Sequence, residues 1–146
     1  MLKVLLSIKP VFAEKIFDGT KKFEFRKVLI LRPHVSTVIV YASSPVQRVL
    51  GEFTIESIVS GPLDYVWEKT SRYSGISHEF FLSYFSGHRV AHAIKIGNVT
   101  RYEEPRTLEH YMMKRAQQSF VYVDDEIKNN PIAEREIESP TKVPRT

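Results

Sequence analysis

The first 27 residues change hydrophobic period twice, and that change limits what the chain can build. In LKVLLSIK (residues 2–9), Leu2, Val4, Leu6 and Ile8 recur every second position, the period of a strand with one core face. Pro10 follows, and its missing N–H costs nothing in the first turn of a helix. PVFAEKIFDG then places Phe12, Ala13, Ile16 and Phe17 on one stripe. Gly19 stands where a helix closes in the left-handed conformation. GTKKFEFRK returns to the two-residue period, with Phe23 and Phe25 on one face and Lys22, Glu24 and Arg26 on the other. A strand, a short helix and a second strand so tightly joined call for a sheet that packs helices between its strands.

The remaining segments extend that sheet. TVIVYAS is a β-branched strand, and RVLGEFTIESIV is a long alternating one in which Gly51 marks a bulge or a close approach. LDYVWEK reads as a short helix. Ser77 is a suitable N-cap for HEFFLSYF, whose Phe80, Phe81, Tyr84 and Phe85 read as a core-facing stripe ending at Gly87. RVAHAIKIGNV is a strand, TLEHYMMKRA a helix and SFVYVD a last strand. From Asp124 onward the sequence is polar and dotted with proline, as expected of a flexible tail over 124–146. The fold class expected is α+β, one domain over 1–123, with a mixed, mostly antiparallel sheet closed into a small barrel and helices covering one end.

At 146 residues, 42% hydrophobic and 26% charged, the chain suits one soluble domain. It contains no cysteine, so disulfides and thiolate metal sites are excluded. The short apolar N-terminus lacks the features of a signal peptide, and no stretch reaches membrane length. The expected location is the cytoplasm, with no membrane partner. Net charge is +4, but residues 1–48 hold nine Lys and Arg against Glu14, Asp18 and Glu24, a net of +6. A basic lobe on a near-neutral body points to a polyanion, nucleic acid first, although a solvated basic surface has the same composition.

Catalytic signatures are few. His34, His78, His88, His92 and His110 are scattered, and no zinc, phosphate-loop or dinucleotide motif occurs, so neither metal nor cofactor is expected. What remains is G-x-K-x-x-E-x-R, formed by Gly19, Lys21, Glu24 and Arg26. Glu24, flanked by cations, is better placed to accept hydrogen bonds and orient Arg26 than to act as a general acid. Arg26 can fork onto a phosphate or a base edge. Lys21, on the turn into the strand, can swing into a cleft. A surface ladder of ion pairs has the same pattern.

LLSIKPVFAEKIFDGTKKFEFRK resembles the opening of an ASCH domain, a PUA-like β-barrel family linked to RNA, and G-x-K-x-x-E-x-R is that family's signature. The resemblance continues through VIVYASSPVQRVLGEFTI, YSGISHEFFLSYFSGHRVAHAIKIGNVTRYEEP and AQQSFVYV, covering about residues 2–123. It implies a cleft beside the first helix that takes RNA or a modified nucleoside. Lys21, Glu24 and Arg26 would line it, beside Lys22, with Ser7 and Lys9 leaving the first strand. From strand topology, Tyr41, Ser43 and Ser44 at the end of the third strand could add hydroxyls, though Ser44-Pro45 also reads as a turn.

Some bacterial ASCH proteins hydrolyse N4-acetylcytidine, and they are similar at Lys21. They carry a threonine nucleophile where this chain has Glu24. Their catalytic glutamate falls in a segment best matched by EKTSRYSG, which offers Ser74 or Gly75. Binding is therefore the leading expectation. If the protein is an enzyme, Lys21 and Glu24 would be catalytic, in an amidohydrolase or a ribonuclease. A third possibility is a transcription-related protein partner docking on Tyr65, Trp67 and the aromatic helix.

Overall fold

The computed structural model describes residues 2–29, 31–111, 113 and 120–124. Strand β1 (Leu2–Ile8) forms on the expected alternation and buries Val4, Leu6 and Ile8 in the main core. Helix α1 (Pro10–Phe17) opens on its proline and buries Ala13 and Ile16. Gly19 ends it at φ +88, in the left-handed region that a glycine enters without a Cβ penalty. There follow β2 (Phe23–Arg26), β3 (Thr37–Ala42), β4 (Arg48–Pro62), α2 (Leu63–Thr70), α3 (His78–Tyr84), β5 (Val90–Arg106) and β6 (Phe120–Asp124). All six residues of β3 are buried, as suits a strand at the middle of a covered sheet.

The strand order is β2-β5-β4-β3-β1-β6. Among the described residues only β1 and β3 pair in parallel; the other pairs are antiparallel. The sheet is mixed, as expected, but it is open. The expectation of a closed β-barrel is wrong, and the pairing shows why. β2 and β6 are the two outer strands, and among the described residues β2 pairs with β5 alone and β6 with β1 alone, so no pairing completes a ring. The described β6 register ends at Leu6↔Phe120, and β1 runs on to Ser7 and Ile8 beyond it. At that point a side chain spans the seam: the Arg26 guanidinium at the end of β2 donates to the Ser7 carbonyl at 3.3 Å.

Gly51 is a close-approach point. A Cβ there would run into the Thr100 carbonyl oxygen and lie 2.7 Å from Phe17 Cε1. Ser77 caps α3, its hydroxyl accepting from the Phe80 N–H at 3.0 Å. Ser77→Ala should lower stability by about 1 kcal/mol, read as a shift in urea midpoint at constant slope. The segment expected as a helix over 107–116 contains a 3₁₀ turn at Leu108–Tyr111. Residues 112 and 114–116 of it and the tail from residue 125 lie outside the described residues. Among the described residues, no helix is long and apolar enough to cross a membrane.

Candidate functional site

The open seam holds a cleft of about 220 Å³, lined by Ser7, Ile8 and Lys9 on one side and Glu24, Phe25 and Arg26 on the other. Phe12 and Lys21 lie between those walls in sequence; Ile76, Phe80 and Tyr84 close the remaining side. A drug-sized ligand site typically spans roughly 300–1,000 Å³, so this one suits a single planar group.

Lys21 is among the largest fully buried side chains of the described residues, at 2% exposure. Local backbone bonds put it there. The Lys21 N–H donates to the Lys15 carbonyl at 3.0 Å, and the Lys22 N–H to the Tyr73 carbonyl at 2.8 Å. Its Nζ donates to the Ser74 carbonyl at 2.7 Å and lies 5.1 Å and 4.9 Å from the ring centroids of Phe12 and Phe25. Burial pushes its pKa down to about 8, partly countered by the nearby Glu24 carboxylate. Gly75, at φ +72, packs against its stem. The segment expected to match the hydrolases' glutamate thus supplies a backbone carbonyl here.

Glu24 is also buried, at 6% exposure. Its carboxylate pairs with Arg26 at 3.2 Å, and Arg26 reaches on to Ser7. The Tyr84 hydroxyl donates to the Phe25 carbonyl at 3.3 Å, and burial raises its pKa. Carboxylate, guanidinium and phenol therefore meet around one apolar slot, where hydrogen bonds are stronger than in water.

Of the residues expected at the site, Ser7, Lys9, Lys21, Glu24 and Arg26 line the cleft, and Lys22, Tyr41, Ser43 and Ser44 are not among its lining residues. Lys22 is exposed. Tyr41 is buried with Leu5, Val49 and Tyr111 in a second core cluster. The Ser43 N–H donates to the Ile8 carbonyl at 2.9 Å, and Ser44 lies in an exposed turn. Phe12, Ile76, Phe80 and Tyr84 were not anticipated as lining. The signal for the last two was the width of the α3 stripe. Phe81 and Phe85 fill the core, so Phe80 and Tyr84, each one position back, cannot share that face. Trp67 is half-buried, stacked on His78 at 4.9 Å and packed on Phe81. Among the described residues, no group of three or more acidic or histidine side chains is arranged to hold a metal ion.

The ASCH domain family matches residues 6–138. The chain belongs to the ASCH domain family. This ASCH chain is 36% identical over 121 residues to the ATP synthase subunit alpha of Ureaplasma parvum serovar 3, covering 82% of this chain and 15% of that protein. It is 32% identical over 121 residues to the large ribosomal subunit protein uL22 of the same organism, covering 82% and 39%. The chain thus spans well under half the length of these relatives. The ASCH domain-containing ribonuclease of Zymomonas mobilis is 32% identical over 85 residues, 58% of this chain and 57% of that protein. Crystal structures of ASCH from Zymomonas mobilis superpose closely. One has a TM-score of 0.79 at 26% identity, covering 90% of this chain and 94% of that one. A point mutant has 0.78 at 25%, covering 91% and 95%.

Proposed function

We propose that this ASCH domain binds RNA, taking one unpaired or modified base into the seam cleft. The observation that carries the reading is the Glu24–Arg26 pair, buried at the mouth of an aromatic-walled slot of about 220 Å³. Buried polar groups in a small apolar pocket fix orientation, and Arg and Glu supply the donors and acceptor that a base edge needs. RNA is read largely through unstacked bases set against aromatic rings, which suits a slot walled by Phe12, Phe25, Phe80 and Tyr84. The basic first third of the chain would meet the phosphates.

Arg26→Ala should weaken binding of a mixed-sequence single-stranded RNA by ten- to a hundredfold in fluorescence anisotropy at low salt. An unchanged Kd would remove the cleft from consideration.

Cleavage is the second reading, favoured by the Zymomonas mobilis relative that is named a ribonuclease. Lys21, with a pKa of about 8, is partly neutral at physiological pH and able to take a proton. Labelled RNA and N4-acetylcytidine, incubated with excess protein, test both proposed turnovers. Cleavage that persists in Lys21→Met and Glu24→Gln would assign the chemistry elsewhere.

A further inference from the structure

We propose that Phe80 and Tyr84, flanked by Lys9 and Lys27, form a stacking platform for the nucleotides next to the one in the cleft. The ligand is then a continuous single-stranded RNA segment and not a free nucleoside. This inference rests on the RNA-binding reading above.

Phe80 and Tyr84 lie one turn apart on α3, with rings 11° from parallel and centroids 6.3 Å apart. Both are half-buried, unlike Phe81 and Phe85 on the adjoining face, which are fully buried. The edge of Phe12 fixes the Phe80 ring, at 5.2 Å and 77°. The Tyr84 hydroxyl is tied to the Phe25 carbonyl. Two rings held this way keep their orientation without a ligand, so little entropy is lost when a base stacks on them.

The cations are arranged to match. Lys9 Nζ lies 5.6 Å from the Phe80 centroid and Lys27 Nζ 4.7 Å from the Tyr84 centroid, and both lysines are exposed. One stands at the end of β1 and the other just past β2, on opposite sides of the seam. A base displacing either ammonium from its ring leaves a long, flexible cation beside the incoming backbone, where it can meet a phosphate. Aromatic faces alternating with cations are the arrangement that binds single strands with little sequence preference. Lys9, Phe80 and Tyr84 also line the cleft, but a free nucleoside there would leave Lys27, outside the lining, unused.

Fluorescence anisotropy with the full chain tests the proposal, using a labelled 10-nucleotide RNA of mixed sequence, its duplex, and competing cytidine and uridine monophosphates. The single strand is expected to bind at least tenfold more tightly than either monophosphate and than the duplex. Lys27 does not line the cleft, so Lys27→Ala should weaken the oligonucleotide and leave the monophosphates unchanged. Phe80→Leu, which removes the π face of a ring that also walls the cleft, should weaken the oligonucleotide by roughly tenfold and the monophosphates as well. Lys9→Ala and Lys27→Ala should each reduce the slope of log K against log salt by about 0.7. Lys27 is exposed, so its variant will fold and keeps the test valid. Equal affinity for oligonucleotide and monophosphate, or no effect of both Phe80→Leu and Lys27→Ala while Arg26→Ala abolishes binding, overturns the platform and spares the cleft. The reverse pattern, with Arg26→Ala silent, supports the platform and overturns the cleft.

Discussion

Lys21→Met should give a protein that is more stable than the wild type and no longer binds RNA. Burial is the main cause of the lowered Lys21 pKa, from 10.5 to about 8. The charged form is therefore disfavoured in the folded state, by about 3 kcal/mol relative to the unfolded chain. The sign with pH follows. Well below pH 8 both states hold the proton and the cost is present in full. Between 8 and 10.5 the folded state has released a proton that the unfolded state keeps, so stability climbs with pH. Above 10.5 the cost is gone. Methionine fills the stem volume without charge but loses the bond to the Ser74 carbonyl and the attraction of two rings. The net gain at pH 7 should be roughly 2 kcal/mol. Urea unfolding at pH 7 and pH 10 reads it: the wild type should close on the variant as pH rises. A variant less stable at pH 7 would show that the rings and carbonyl compensate the buried charge. A charge retained against stability, in a cleft, is what a binding or catalytic group requires.

Gly75→Ala should cost 3 kcal/mol or more. Two penalties coincide: alanine at φ +72 is strained, and its Cβ would sit 2.6 Å from Lys21 Cγ and 2.7 Å from Lys21 Cβ. Neither side can retreat. Lys21 is held by its backbone bond to Lys15, and the Gly75 carbonyl accepts from Lys15 Nζ at 3.1 Å. Chemical denaturation measures the loss, and a midpoint within error of the wild type would mean that the loop at 73–76 yields. The variant should also bind RNA less tightly, because whatever relieves the clash moves Lys21.

Much of the fold and of the cleft is legible in the sequence, for identifiable reasons. Period and punctuation located β1, α1, β2 and α3, since Pro10, Gly19 and Ser77 act through local backbone geometry. The motif residues Lys21, Glu24 and Arg26 meet at one cleft because a helix stop and a short strand fix their positions. Closure of the sheet was not legible, because it depends on whether strands far apart in sequence meet at its two edges, and on which of them comes to lie beside β1. No local pattern says that β6 does so. The burial of Lys21 was hidden too. Its neighbours Phe12 and Ser74-Gly75 come from two segments about sixty residues apart, and lysine type alone argues for solvent. Tyr41 shows the same limit. Its hydroxyl suggested the site, but strand register turns the ring into the second core cluster.

The pairing of β1 with β6 sets Leu2 opposite Asp124. Entry to the sheet and exit from it therefore lie one strand spacing apart, about 5 Å. The first and the last described strands thus protect each other: β6 covers one edge of β1, and loosening it would expose the β1 backbone from Leu2 to Leu6 as an unpaired edge.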